Sequence, residues 1–217
     1  MLSSTQQRVE SLLTTIDRLG MVKIKHLQRI HDLKYRNMAQ TINRHLKPYI
    51  NETFFEREKV IYLNKDGRSF IGSDKDSQKP TLIAHTLLRN EVYLHFNCPA
   101  DWQNEYTLEA QLKPYSGLDA IINSNMKFSN TAKVRADAMF TRNGYVHLIE
   151  VDNARDMAEN RKKINSYADI LPMVRKEHQQ TPILYFFTTT DHRKRKFEEW
   201  LKGRSIRHEV KTFNEIK

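Results

Sequence analysis

Two runs of alternating apolar residues, Val134–Phe140 and Tyr145–Val151, meet at Arg142–Asn143–Gly144. Asn-Gly supplies the two left-handed residues of a tight two-residue hairpin turn, so the spacing predicts paired antiparallel strands. Val146, Leu148 and Val151 belong in a core, yet Asp137, Glu150 and Asp152 lie among them. Side chains alternate along a strand, which puts Glu150 and Asp152 on one face about 6.6 Å apart. Asp137 enters from the neighbouring strand at the same end of the hairpin. Glu105, in the alternating stretch "WQNEYTLEAQL", is a fourth candidate. Like charges about 4 Å apart repel by about 4 kcal/mol at an effective dielectric near 20. A cluster of Glu105, Asp137, Glu150 and Asp152 therefore needs cations, raised pKa values or wide spacing, and a hard divalent ion, Mg²⁺ or Mn²⁺, held by carboxylate oxygens is the economical solution.

The remaining pattern of this part of the chain is helix, three strands, helix, strand, helix, strand. A helix begins near Thr81, with Ile83, Leu87, Leu88, Val92 and Leu94 facing a core. The hairpin is followed by a long helix, roughly Arg155 to His178. "PILYFF" at 182–187 reads as a strand covered on both faces. A helix at Arg193–Leu201 and a strand near Ile206–Val210 complete the order. On the long helix Ile164, Tyr167, Ala168 and Leu171 form the inward stripe, and Lys163 borders it. "HRKRK" at 192–196 resembles a basic patch and reads as a solvated face, with tracking of phosphates as the alternative.

The N-terminal third has a different grammar. Ser3, Ser4 and Thr5 precede a helix with Val9, Leu12, Leu13, Ile16 and Leu19 at helical spacing, and Gly20 ends it. A short helix with Ile24, Leu27 and Ile30 follows. In "YRNMAQTINRHLKPYI" Met38, Ile42 and Leu46 make one buried face, leaving Asn37, Gln40 and Arg44 on another with Arg36 and Lys47 at the flanks. Thr53–Phe55 and Val60–Leu63 then read as a hairpin across a charged turn that carries Arg57, with Lys59 beside it. Three helices and a hairpin make the winged helix-turn-helix pattern, in which the third helix enters the major groove and the wing follows the phosphates. Asn, Gln and Arg are the side chains that pair with adenine and guanine edges.

Charge agrees with a nucleic-acid partner. The chain carries 36 Lys and Arg against 26 Asp and Glu, a net of +10. Residues 1–72 alone hold 13 against 7. Double-stranded DNA is the expected ligand of the front module, through Arg36, Asn37, Gln40, Arg44, Lys47, Arg57 and Lys59. Cys98 is the single cysteine, and no stretch approaches the ~20 apolar residues of a membrane span, so a cytoplasmic protein is expected. No phosphate loop, dinucleotide fingerprint or convincing zinc-ligand spacing is present. The expected division is 1–73, winged helix-turn-helix; 74–79, linker; 80–217, a mixed-sheet α/β domain.

The acidic hairpin, with "RADAMF" and "LIEVD" on adjacent strands, resembles the restriction-endonuclease-like, or PD-(D/E)XK, phosphodiesterase superfamily. The resemblance implies Asp137 and Glu150 as metal-binding and catalytic acids. Ala136 stands where that pattern has Pro, and Asp152 where it has Lys. A lysine relocated to the following helix is a variation within the superfamily, and Lys163 is the candidate here. Over nearly the whole chain, "HTLL", "DWQNEYTLE", "RADAMF", "LIEVDNA" and "KKINSYADIL" resemble the replication-relaxation protein family of bacterial plasmids and mobile elements. That resemblance implies a role in replication, relaxation or mobilisation, with relaxosome or replication proteins as partners; the winged-helix pattern adds a homodimer as an expected assembly. Two readings stay open. One is a DNA-binding accessory factor whose nuclease-like domain is inactive. The other is a Mg²⁺-dependent endonuclease or nickase using Asp137, Glu150, Asp152 and Lys163.

Overall fold

The computed structural model describes residues 4–76, 78, 80–111, 131–154, 156–178 and 182–216. The chain is mixed α and β and divides into two compact units, Met1–Pro99 (with Ile216–Lys217) and Ala100–Glu215. Among the described residues no helix is long and apolar enough to cross a membrane.

In the first unit α1 (Ser4–Leu19) buries Val9, Leu12, Leu13, Ile16 and Leu19. It stops at Gly20, whose φ of +83° suits a residue without a Cβ. The remaining elements are β1 (Val22–Lys23), α2 (Ile24–His31), α3 (Tyr35–Thr41), β2 (Ile50–Phe55), β3 (Glu58–Leu63), α4 (Lys65–Ile71) and α5 (Ile83–His95). A π-helical turn, Ile42–Leu46, and a 3₁₀ turn, Lys47–Tyr49, join α3 to β2. The strands form one antiparallel sheet in the order β1-β3-β2. Met38, Ile42 and Leu46 are buried at their expected spacing. Phe55 pairs with Glu58 across a two-residue turn, Glu56–Arg57, and both turn residues have positive φ, +49° and +65°. Bulky residues rarely adopt that conformation, so the hairpin tip is strained.

Two features depart from the sequence reading. The stretch after β3, where the sequence pattern assigns no helix, contains α4. Asn64 caps it by accepting from Gly67 N at 2.8 Å, and Gly72 closes it at φ +65°. Gly67 lowers helix propensity, but it is there for contact. A Cβ on it would lie 2.2 Å from the Tyr49 carbonyl oxygen, which already accepts from Asn64 N at 3.1 Å. Gly67→Ala is therefore expected to destabilise the protein by at least about 2 kcal/mol, read as a lower urea midpoint. An unchanged midpoint would show that the two backbones separate freely.

The unit boundary also lies later than residues 74–79. Helix α5, expected to open the second domain, packs on α2 and β1 instead. Polar anchors hold it there: Asn90 Nδ2 donates to Met21 O at 2.7 Å, and Glu91 meets Lys25 Nζ at 2.6 Å and His26 Nε2 at 3.1 Å. Burial alone would raise the Glu91 carboxyl, but the hydrogen bonds from His26 and Lys25 outweigh it and hold it at about 2. The division thus falls between Pro99 and Ala100.

The second unit is a five-stranded mixed sheet in the order β4-β5-β6-β7-β8: β4 (Gln103–Gln111), β5 (Thr131–Arg142), β6 (Tyr145–Asp152), β7 (Ile183–Thr188) and β8 (His208–Thr212). β4, β5 and β6 run antiparallel, and the turn between the last two is Asn143–Gly144, both at positive φ. β6, β7 and β8 are parallel, joined through α6 (Met157–His178) and α7 (Asp191–Leu201). Parallel neighbours need such crossovers. Both helices cover one face of the sheet, with Ile164, Tyr167 and Leu171 of α6 and Phe197 and Leu201 of α7 against Val146, Leu148, Leu184 and Phe186. On the opposite face Trp102, Phe140, His147, Tyr185 and Phe187 stack ring on ring across the strands.

Candidate active site

The acidic cluster sits where the β5–β6 ladder opens. Paired residues run from Arg142↔Tyr145 to Ala138↔Ile149, and the register stops short of Asp137 and Glu150. There the Asp137 side chain takes over from the backbone: Val151 N donates to Asp137 Oδ2 at 2.7 Å. Asp137 is buried, so this hydrogen bond satisfies a buried donor as well as fixing the acid. Glu105 stands opposite Asp137 on β4, between the pairs Asn104↔Ala138 and Tyr106↔Ala136. Its φ of +54° is an outlier inside a strand. One of its carboxylate oxygens lies within 4.8 Å of one from Asp137, and Arg135 Nε lies 3.2 Å from Glu105 Oε2.

Glu150 is 4% exposed and faces α6. Tyr167 OH donates to its Oε1 at 2.5 Å, and Lys163 Nζ lies 2.6 Å from its Oε2 and 3.9 Å from Asp137 Oδ1. Lys163 and Tyr167 are one turn apart, i and i+4, so a single helix face delivers an ammonium and a phenol to one acid. Burial, and next the nearby Asp137 charge, push the Glu150 carboxyl up to about 8 against the opposing pull of Lys163 and Tyr167. The Tyr167 phenol is likewise pushed well up by burial and by the acids beside it.

Asp152 points to the same side of β6 but belongs to another network. Arg193 grips both oxygens, Nε to Oδ2 at 2.5 Å and Nη2 to Oδ1 at 2.7 Å. Thr188 Oγ1 donates to Oδ2 at 2.7 Å and Asn160 Nδ2 to Oδ1 at 3.0 Å. Burial would raise this carboxyl, but Arg193, Thr188 and Asn160 together lower it. The structure thus brings Glu105, Asp137, Glu150 and Lys163 to one sheet margin and commits Asp152 to Arg193. Sequence reasoning did not assign Tyr167, Asn160, Thr188 or Arg193. The i, i+4 spacing of Lys163 and Tyr167 on the inward stripe was the available signal for Tyr167. Arg193 lay within the run read as a solvated face.

In the first unit Arg36, Asn37, Gln40, Arg44 and Lys47 are exposed along α3 and the turns that follow it, and Arg57 is exposed at the hairpin tip. Lys59 is only partly exposed and pairs with Glu52 at 2.8 Å.

Glu105 and Asp137 each bring a carboxylate oxygen, the donor type that hard cations take, within 4.8 Å of the other.

No family model matches the chain, and no curated protein matches it. Among solved structures the chain is similar to the crystal structure of protein VC1899 from Vibrio cholerae, with 15% identity and a TM-score of 0.38 over 97% of this chain and 49% of that one. The chain therefore spans about half the length of that structure.

Proposed function

We propose that this protein binds double-stranded DNA through a winged helix-turn-helix in its first unit and hydrolyses phosphodiester bonds with a PD-(D/E)XK-like site in its second. The observation that carries the reading is Lys163 Nζ placed 2.6 Å from Glu150 and 3.9 Å from Asp137, from a helix rather than from β6. Asp137, Glu150 and Glu105 are the residues that would hold Mg²⁺ or Mn²⁺, whose chemistry when bound is to polarise a phosphoryl oxygen and acidify a water. Lys163 then faces charge that develops on the phosphate. Tyr167 fixes the orientation of Glu150, and the Val151 N–H fixes Asp137. The Arg193–Asp152 pair holds the start of α7 against the end of β6.

The order α1-β1-α2-α3-β2-β3, with β3 between β1 and β2, supports the winged-helix reading. Exposed Asn37, Gln40 and Arg44 would meet base edges, while Arg36, Lys47, Arg57 and Lys59 would meet phosphates. Lys47→Ala is expected to weaken duplex binding about equally across sequences and to lower the slope of log K against log salt by about 1. Fluorescence anisotropy at several salt concentrations measures it. A slope equal to that of the parent protein removes Lys47 from the phosphate contacts. The biological setting we infer is replication, relaxation or mobilisation of a plasmid or mobile element, with its replication or relaxosome proteins as partners.

The deciding experiment incubates supercoiled plasmid with the protein and Mg²⁺ or Mn²⁺. Nicked or linear product that disappears with Asp137→Asn supports the nuclease. A second reading, a DNA-binding accessory factor with an inactive second unit, draws on Asp152, which stands where the superfamily pattern has Lys and is tied to Arg193. DNA retained without product under every condition selects that reading.

A further inference from the structure

We propose that the cleft between α2, α3 and the β2–β3 hairpin receives one unpaired nucleotide of a DNA strand. The first unit would then prefer a duplex carrying a single-stranded extension to a blunt one. The inference rests on the DNA-binding reading above and adds to it the form of DNA that is sought.

Tyr35 and Phe54 are 63% and 69% exposed, the two most exposed large hydrophobic side chains among the described residues. They lie on different elements yet line one cleft of about 500 Å³. That volume falls within the ~300–1,000 Å³ of small-ligand sites. Ala39 and Ile42 contribute further apolar lining, and Ile42 opens the π-helical turn. Such turns recur at functional sites. An exposed ring gains nothing from the fold, so two that share a cleft need a ligand with flat apolar faces.

The charge of the cleft says what that ligand carries. Four cations line it, Lys23, Lys25, Arg57 and Lys59, against one carboxylate, Glu58. The lysines already have acidic partners: Glu58 for Lys23, Glu91 for Lys25 and Glu52 for Lys59. Arg57 makes no ion pair among the described residues and sits on the strained turn at φ +65°. A group with an aromatic face and a phosphate satisfies both halves of the site: the base against Tyr35 and Phe54, the phosphate at Arg57. Bases inside a duplex present only their edges, because their faces are stacked on their neighbours. Away from the helix ends, a ring face is therefore available only from an unpaired nucleotide.

The test uses the full chain in EDTA, so that no strand is cut, and two labelled duplexes of the same sequence. One is blunt; the other carries a short single-stranded extension with 2-aminopurine at its first unpaired position. Roughly tenfold tighter binding of the extended duplex, with quenched 2-aminopurine fluorescence, is expected. Phe54→Ala and Tyr35→Ala should each abolish the preference and the quench while blunt-duplex affinity stays within about twofold. Phe54→Trp should restore both. Equal affinity for the two duplexes, or a preference that survives Phe54→Ala, overturns the inference and leaves the rings to a protein partner. Failure to bind either duplex overturns the DNA-binding reading itself.

Discussion

Lys163→Met is expected to cut phosphodiester cleavage by about 10²–10³-fold with duplex affinity within about twofold of the parent. Methionine keeps most of the apolar stem along α6 and removes only the ammonium. That ammonium meets both Glu150 and Asp137, so its loss removes the positive charge closest to where the phosphate must sit. The expected damage to folding is smaller than for a typical broken buried pair, because Glu150 holds its proton up to about pH 8. Cleavage assays on supercoiled plasmid, beside anisotropy on a short duplex, separate chemistry from binding. Cleavage that persists at the parent rate would relocate the site away from this margin.

Stability of the metal-free protein is expected to fall as pH rises from about 4.5 to about 8, because of Glu150. Its folded-state carboxyl, raised to about 8, retains a proton that the unfolded chain releases near the ordinary value of 4.5. The contribution is full below that lower value and lost as pH climbs through the upper one. Each pH unit inside the window changes stability by about 1.4 kcal/mol from this one group, so the total is on the order of a few kcal/mol. Glu150→Gln keeps the hydrogen-bonding shape without an ionisable proton, and its urea midpoint should vary less between pH 5.5 and 8.5 than that of the parent in EDTA. Identical pH profiles for the two proteins would place the proton elsewhere. Mn²⁺ should stabilise the parent more at the alkaline end, since ligation requires the ionised acid.

Both predictions depend on parts of the chain that differ in how openly the sequence declares them. The β5–β6 hairpin is fully legible, because Asn143–Gly144 sets the turn and alternation sets the register. The place of Lys163 is legible too, since helical spacing fixes it relative to Ile164 and Tyr167. The fate of Asp152 is not. Alternation puts it on the same face as Glu150, and it is there, but its partner Arg193 comes from a helix one strand later. No local rule links the two. Helix α4 hid for the opposite reason. Its one internal glycine is unfavourable by propensity, and only the approach of Tyr49 explains Gly67. The unit boundary was misplaced because a run of Ser, Asp, Lys and Pro resembles a linker whether or not the next helix folds back on the module before it.

The hydrogen bond from Val151 to Asp137 gives that acid a second duty, as a rivet between two diverging strands. An alanine in its place would strand a buried N–H and loosen the sheet edge on which Glu105 and Glu150 also depend. Inactivity in such a variant would report a sprung hinge as readily as a lost acid. Asparagine retains an oxygen for the rivet, and it is the substitution that isolates chemistry from carpentry.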